Sequence, residues 1–267
     1  GVVGPYEAGE PFVSYYWQPT DVINLRDMVM LEEPTNNTEC QTALAAAVEE
    51  EPYESTIGCG FPIGDAHTVV NTAFAERQPH ITEFLRTYYI PPKPLAELEA
   101  YKADADVEWI DVAIKYLREN KDTWSTWITD SNSAEIIANV EKQLAGEAET
   151  KQVVSLVIPK EKIMFRDGQW GSLWVMNAVA RYILENGYDY ETEEVQGTTG
   201  TVKVTMVEGD VHVNMETWRM NIPEWYNEHT ASGAIVDLAG TTDPTDMLPA
   251  GAPGTVIAVG GQGFYVP

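Results

Sequence analysis

The sequence predicts a mixed α/β chain organised as two lobes. Three observations carry this. The chain has 267 residues, more than most single compact domains and enough for two lobes of ordinary size. Helical patterns dominate its middle. After Lys151 the texture changes to strands alternating with helices, which argues for a mostly parallel sheet covered on both faces.

The elements follow in order. Residues 11–17, Pro-Phe-Val-Ser-Tyr-Tyr-Trp, form a strand-like run closed by Gln18-Pro19. Glu32 to Cys59 is polar and contains Pro; it reads as loop-rich, with a short alanine-rich helix at Gln41–Glu49. Thr68–Arg77 reads as a helix followed by Pro79, and Thr82–Tyr89 as another that ends before Pro91-Pro92. Residues 107–119 place Ile110, Ile114 and Leu117 on one helical face. Ser133 is the expected N-cap of a helix carrying Ile136, Ile137, Val140 and Leu144. Ala145–Lys151 is small, acidic and patternless, the composition of a surface linker. Beyond it Ile163–Arg166 is a strand, Gly168–Ser172 a turn, and Leu173–Asn186 a helix stopped by Gly187. Tyr190–Val195 is a strand, Val202–Glu208 a helix, and Asp210–Met215, Ala234–Leu238 and Gly263–Val266 are further strands.

Composition excludes several functions. The net charge is −26, from 42 acidic and 16 basic residues. Such a surface repels phosphate backbones, so no nucleic-acid partner is expected. It favours solubility in a salty or dilute medium and, weakly, a cationic solute. No stretch offers the roughly 20 apolar residues of a membrane span. The first residue is Gly, and a leader, if one was encoded, is expected to have been removed. Cys40 and Cys59 permit one disulfide in an oxidising compartment, closing a loop of about 20 residues worth about 3 kcal/mol, or else two reduced core thiols. The four histidines lie apart and show no zinc-type spacing, so neither metal nor cofactor is expected. There is no Gly-x-Ser-x-Gly elbow, and the lone Gly-x-Gly fragments open no convincing phosphate-binding helix.

Three tryptophans share a setting. Trp17 follows a strand and precedes Gln18-Pro19, Trp170 lies in a turn between strand and helix, and Trp218 follows the strand ending near Met215. In an open α/β sheet, ligands bind beyond the carboxyl ends of strands. Three aromatics delivered there form a box suited to a cation that cannot donate hydrogen bonds, a trimethylammonium group above all, with each desolvated contact worth about 2 kcal/mol. Core packing is the competing reading for each ring. It is the expected one for Trp109, Trp124, Trp127 and Trp174, and Trp225 is left open.

Several segments resemble one family. Phe12–Thr20 with its Trp-x-Pro, Leu31-Glu32-Glu33-Pro34, Cys59-Gly60-Phe61-Pro62, Gly168–Ser172, Ile183–Tyr188, Glu208–Val211, Glu216-Thr217-Trp218 and Gly263–Pro267 look like the solute-receptor subunits of glycine betaine, proline betaine and choline ABC importers. The resemblance implies a periplasmic-binding-protein fold: two α/β lobes with a hinge, closing on a small quaternary amine and docking on permease subunits, outside the cytoplasm, without catalysis. It carries Trp17, Trp170 and Trp218 over as the aromatic box. Gly171 and Ser172, opening a helix, donate their N–H groups to a ligand carboxylate in this reading. A monomer is expected.

The chain departs from the family in two ways. Some relatives place a His after the third tryptophan; here the stretch is Arg219-Met220-Asn221-Ile222-Pro223. Arg219 either substitutes or is solvated, and Glu216 either faces the cation, favouring choline over a betaine, or pairs with Arg219. The segment order is also permuted. It implies residues 1–60 as an incomplete part of the second lobe, 61–145 as a mainly helical segment packing back on the first, 146–151 as linker and 152–267 as the first α/β lobe. Either the chain is incomplete, or loops are left out, or that lobe is unusually small. A receptor's ligand-sensing domain on the same fold is the first alternative function, and an acidic hydrolase the second.

Overall fold

The computed structural model describes residues 2–18, 20–37, 39–40, 42–43, 58–61, 64–146, 159–241, 247–249, 251–260 and 262–267. Most of the expected helix at Gln41–Glu49, and the expected linker beyond Gly146, lie outside these residues. The chain divides into two compact units, one of residues 1–64 with 259–267 and one of residues 65–258.

In the smaller unit a short helix α1 (Val3–Glu7) precedes β1 (Ser14–Trp17), α2 (Asp21–Asn24) and β2 (Val29–Met30). The last strand of the chain, β9 (Gln262–Val266), lies between β1 and β2 and is antiparallel to both. Tyr15 stands opposite Phe264, and their rings are 6.5 Å apart. Phe61 adds a third ring, 5.0 Å from Tyr15. Cys40 and Cys59 are joined as a disulfide, with Cα atoms 5.8 Å apart.

The larger unit is built on a six-stranded sheet. Its main path runs β5 (Thr192–Gln196), β4 (Ile163–Asp167), β6 (Val213–Trp218), β3 (Gly64–Asn71), β7 (Ile235–Asp237), with β8 (Thr255–Gly260) also paired to β3. The three strands expected after the linker are thus in one sheet, and Ser14–Trp17 is in the other. The sheet is mixed, however: β4 runs parallel to β5 and β6, whereas β3 is antiparallel to β6 and β7. The expectation of a mostly parallel sheet fails because it overlooked β3, which pairs antiparallel with β6 and β7.

β3 corrects the expected helix at Thr68–Arg77. Every residue from Gly64 to Asn71 is buried, and a centre strand covered on both faces reads as a continuous apolar and β-branched run rather than an alternating one. Ala66 and Val70 face one core, while Val69 faces the other. The helix α3 (Thr72–Arg77) begins only after Asn71, whose side chain accepts from the Phe74 amide at 3.0 Å. Next come α4 (Pro79–Thr87), α5 (Pro92–Ala105), α6 (Trp109–Glu119), the short α7 (Lys121–Trp124) and α8 (Ser133–Ala145). Pro92 starts α5 instead of merely ending its predecessor, because a first-turn residue needs no N–H partner. Ile110 is exposed, so the expected face of α6 is carried by Ile114 and Leu117 with Val112, Ala113 and Tyr116. Asn132, not Ser133, is the N-cap of α8, and its side chain makes no capping bond.

The centre of the larger core is α9 (Gly171–Asn186), which buries Leu173, Val175, Met176, Val179, Ala180, Ile183 and Leu184. Each of these side chains other than Ala180 gains about 1.5–3 kcal/mol over exposure. α9 packs on α5, α6 and α8. Gly187 ends it, but at φ −89°, not in the left-handed conformation that a glycine stop suggests. It is needed for close approach, since a Cβ there would lie 2.8 Å from both Ile136 Cγ2 and Val140 Cγ2 of α8. On the other sheet face α10 (Thr199–Glu208) and α11 (Pro223–Ala231) cover a smaller core of Val69, Val202, Met206, Val211, Tyr226 and Ile235.

Trp124 and Trp127 are buried, whereas Trp109 and Trp174 are half-buried with rings 5.4 Å apart. Trp225 packs beside the smaller core and donates to the Lys203 carbonyl at 2.9 Å.

Candidate functional site

The carboxyl ends of β4 and β6, neighbouring parallel strands, deliver two indoles to one edge of the larger unit. β4 ends at Asp167, whose Oδ1 accepts from the Gln169 amide at 2.9 Å and from Trp174 Nε1 at 2.7 Å. These bonds pin a turn in which Gln169 takes a left-handed φ of 67°, a conformation costly for a residue with a Cβ and worth examining at a site. Gly168 is obligatory, because a Cβ there would fall 2.3 Å from the ring of Trp170. Trp170 follows as the N-cap residue of α9.

β6 runs three residues further than its apolar pattern suggested, so Glu216 lies in the strand and Trp218 is its last residue. Period-two alternation places these two on one face. Glu216 Oε1 accepts from Trp218 Nε1 at 2.7 Å, and Oε2 accepts from Ser172 Oγ at 2.8 Å. Glu216 is 2 % exposed. Burial raises its pKa above 4.5, and the hydrogen bonds of Trp170, Ser172 and Trp218 and the charge of Arg166 offset this only in part. Trp170 Nε1 lies close enough to favour the carboxylate but makes no well-formed hydrogen bond.

Arg166 was not foreseen. Its guanidinium sits 4.8 Å from the Trp170 ring centroid and donates to Thr199 Oγ1 at 3.3 Å. It is 4 % exposed, and burial lowers its pKa to about 10 against the opposing charges of Glu216 and Asp167. The only advance signal was a basic residue at a strand end beside the ligand turn. Glu99 of α5 was equally illegible: it is 5 % exposed, and a Cβ on Gly171 would lie 3.1 Å from its Cδ.

The larger unit therefore gathers Trp170, Trp218 and Ser172 around the buried carboxyl group of Glu216, with Gly171 against Glu99. Trp17 belongs to the smaller unit, where it stacks on Tyr16 at 4.8 Å and is 37 % exposed.

Arg219 is neither solvated nor part of this cluster. It is buried and paired with Asp65, its guanidinium 5.7 Å from the Tyr226 ring centroid. His67 lies between Asp237, at 2.8 Å from Nδ1, and Asp65, at 2.9 Å from Nε2. Both ring nitrogens face carboxylates, so both donate and the imidazole is charged. Burial opposes that charge, but the bonds to Asp237 and Asp65 outweigh it and raise the pKa. Tyr226 Oη completes the network by donating to Asp237 at 2.6 Å.

Among the described residues no group of three or more His, Cys, Asp or Glu is placed to hold a metal ion, and no helix is long and apolar enough to cross a membrane.

This architecture is that of the periplasmic-binding-protein-like α/β folds. Residues 2–119 match the family described as the substrate binding domain of ABC-type glycine betaine transport system, which supports the resemblance read from the sequence. The matched stretch ends with α6, before the strands that carry Trp170 and Trp218. It is a family of binding proteins, not of enzymes. No curated protein sequence matched the chain.

Proposed function

We propose that the protein is an extracytoplasmic solute receptor that binds a small quaternary amine and presents it to an ABC-transporter permease. The observation that carries this reading is the pair of indoles, Trp170 and Trp218, flanking the buried Glu216 at the ends of parallel strands. A quaternary ammonium has no N–H to donate. Attraction to ring faces, burial of its methyl groups and a nearby negative charge are what can hold it. The family match over residues 2–119 supports delivery to a permease. Trp17 is proposed as a further ligand residue on the strength of its Trp-x-Pro setting.

Calorimetric titration with choline, glycine betaine, proline betaine and carnitine tests the reading. At least one should bind with a dissociation constant in the micromolar range or below, and a Trp170→Ala variant should lose most of that affinity. Folded protein that binds none of the four would reject it.

A further inference from the structure

Glu216 is held in a way that suits both of its protonation states. It lies on β6 and is 2 % exposed. Its two oxygens have unlike partners. Oε1 faces Trp218 Nε1 at 2.7 Å, a group that can only donate. Oε2 faces Ser172 Oγ at 2.8 Å, and a hydroxyl donates or accepts by turning its O–H. A proton on Oε2 would donate to Ser172 Oγ, so the protonated form loses no hydrogen bond. The ionised form has about four acceptor sites, and these two bonds occupy half of them. Two further donors wait beside it. Trp170 Nε1 lies close to the carboxyl group, and Arg166 is near enough for its charge and that of Glu216 to favour each other. Trp170 Nε1 and Arg166 Nε are both buried without a well-formed hydrogen bond. Idle buried donors are costly, and an ionised Glu216 is the acceptor next to them. Of the other titratable groups on the elements around it, Asp167 adjoins Arg166 on β4, and Glu99 of α5 lies against Gly171 of α9. Asp65 and His67 of β3 alternate with Ala66, the partner of Trp218, and so point to the other face of the sheet.

We infer that Glu216 releases a proton to solvent when the ammonium ligand binds, and that Arg166 is the positioning residue that holds the resulting carboxylate. The inference rests on the proposed function and deepens it. In this step the Oε2–H bond breaks, the proton passes to buffer, and Ser172 Oγ turns from accepting to donating. The ligand's cation then supplies the positive charge that the proton supplied before. Burial opposes ionisation in the empty receptor and raises the Glu216 pKa above 4.5. An opposite charge within about 4–6 Å favours the ionised form of a carboxyl group by about ten- to a thousandfold.

Choline and glycine betaine are titrated calorimetrically into the full chain from about pH 5 to about pH 8, in phosphate and in MES, whose ionisation heats differ. Neither ligand changes protonation over this range, so any proton released comes from the protein. Affinity should rise with pH by at least about tenfold and level off once the empty receptor is itself ionised. In the rising part the binding heat should differ between the two buffers, by the release of up to about one proton per ligand. In Glu216→Gln, which keeps the shape and cannot ionise, the release should vanish and the affinity should no longer rise. Arg166→Met removes the guanidinium, so the rise should move to higher pH, and Arg166→Lys, which restores the charge, should bring it part of the way back. A merely structural Arg166 would weaken binding equally at every pH. Affinity and heat that are the same at every pH and in both buffers would overturn the inference and leave the proposed function standing. A release that persists in Glu216→Gln would place the proton elsewhere, and an unmoved rise in Arg166→Met would remove Arg166 from the step. If folded protein binds neither ligand, the proposed function fails and this inference with it.

Discussion

Two buried charge clusters lie in the larger unit, and they are built to opposite specifications. Around His67, charges meet their opposites: two aspartates face one imidazolium and Arg219, while Tyr226, the Leu248 amide and the Ala239 amide donate to the aspartates. Around Glu216 the geometry is left open. A buried carboxyl group accepts from Ser172 and Trp218, two half-buried indoles form the rim, and the indole N–H of Trp170 lacks a well-formed bond. A polar network with every member satisfied rigidifies a fold, whereas one left short is costly unless something arrives to complete it. We therefore take the first as a structural clamp and the second as a place kept for a cation.

The comparison breaks first at the clamp. Asp65→Ala would remove one of the two aspartates that face the buried His67 and the partner of the buried Arg219, which costs about 3–5 kcal/mol. Urea denaturation should show this as a lower midpoint with little change in slope. Ligand affinity of the remaining folded protein should be unchanged, and a matching loss of affinity would mean the two clusters are one.

At the open cluster the effects should fall on binding. Trp218→Ala removes a ring face and a donor to Glu216, and should weaken the ammonium ligand by about 1–3 kcal/mol, or roughly ten- to a hundredfold. Trp218→Phe should cost less, since a π face remains. Equal affinity for the neutral isostere with carbon in place of nitrogen would show that shape, not charge, selects the ligand.

The clusters also titrate in different directions. Burial disfavours the Asp65 carboxylate, but bonds from His67, the Leu248 amide and Arg219 hold its pKa at about 2 against an ordinary 3.8. Its contribution to stability is therefore present above its ordinary value and lost as pH falls toward 2. His67 is raised above 6.5, so its contribution is complete below that value and disappears as pH rises through the raised one. Glu216, raised above 4.5, costs stability as pH rises above that ordinary value, because ionising it in the empty receptor is unfavourable. Melting temperature should pass through a maximum in the mildly acidic range, and ligand should raise it most on the alkaline side. A melting temperature still climbing from neutral to alkaline pH would contradict the charged imidazole.

Much of this was legible in the sequence. The alternation after Lys151 located β4, β5, β6, α9 and α10 to within a few residues, because short amphipathic segments bounded by Gly, Thr and Asp carry their own boundaries. β3 was misread because a centre strand buried on both faces has no alternation to show, and its Thr-Val-Val continues directly into a helix. Trp170, Ser172, Glu216 and Trp218 could be named because each lies within a few residues of a strand end. Glu99 could not, since it comes from a helix some 70 positions earlier and reaches Gly171 only through tertiary packing. Arg219 looked like a surface residue, as arginines usually are. Only the fold brings Asp65, 154 positions away, to meet it.

The smallest expected effect isolates what makes that pair matter. Arg77 and Glu161 are also an arginine–carboxylate pair, held by two parallel N–H···O bonds of 3.0 Å each, but their side chains are 51 % and 28 % exposed, against 1 % and 1 % for Arg219 and Asp65. Water solvates both groups when the pair is broken, so Arg77→Ala should cost no more than about 1 kcal/mol. Part of even that would be long-range: the chain already carries a net charge of −26, and losing one cation adds to its self-repulsion. That part should vanish in molar salt, where the screening length falls to about 3 Å. The cost of Asp65→Ala should persist, because ions cannot screen charges they cannot reach. Denaturation of both variants at 0.1 M and 1 M salt separates the two cases. If Arg77→Ala proved as damaging as Asp65→Ala, or if both losses faded together with salt, burial would not be what gives the His67 cluster its weight.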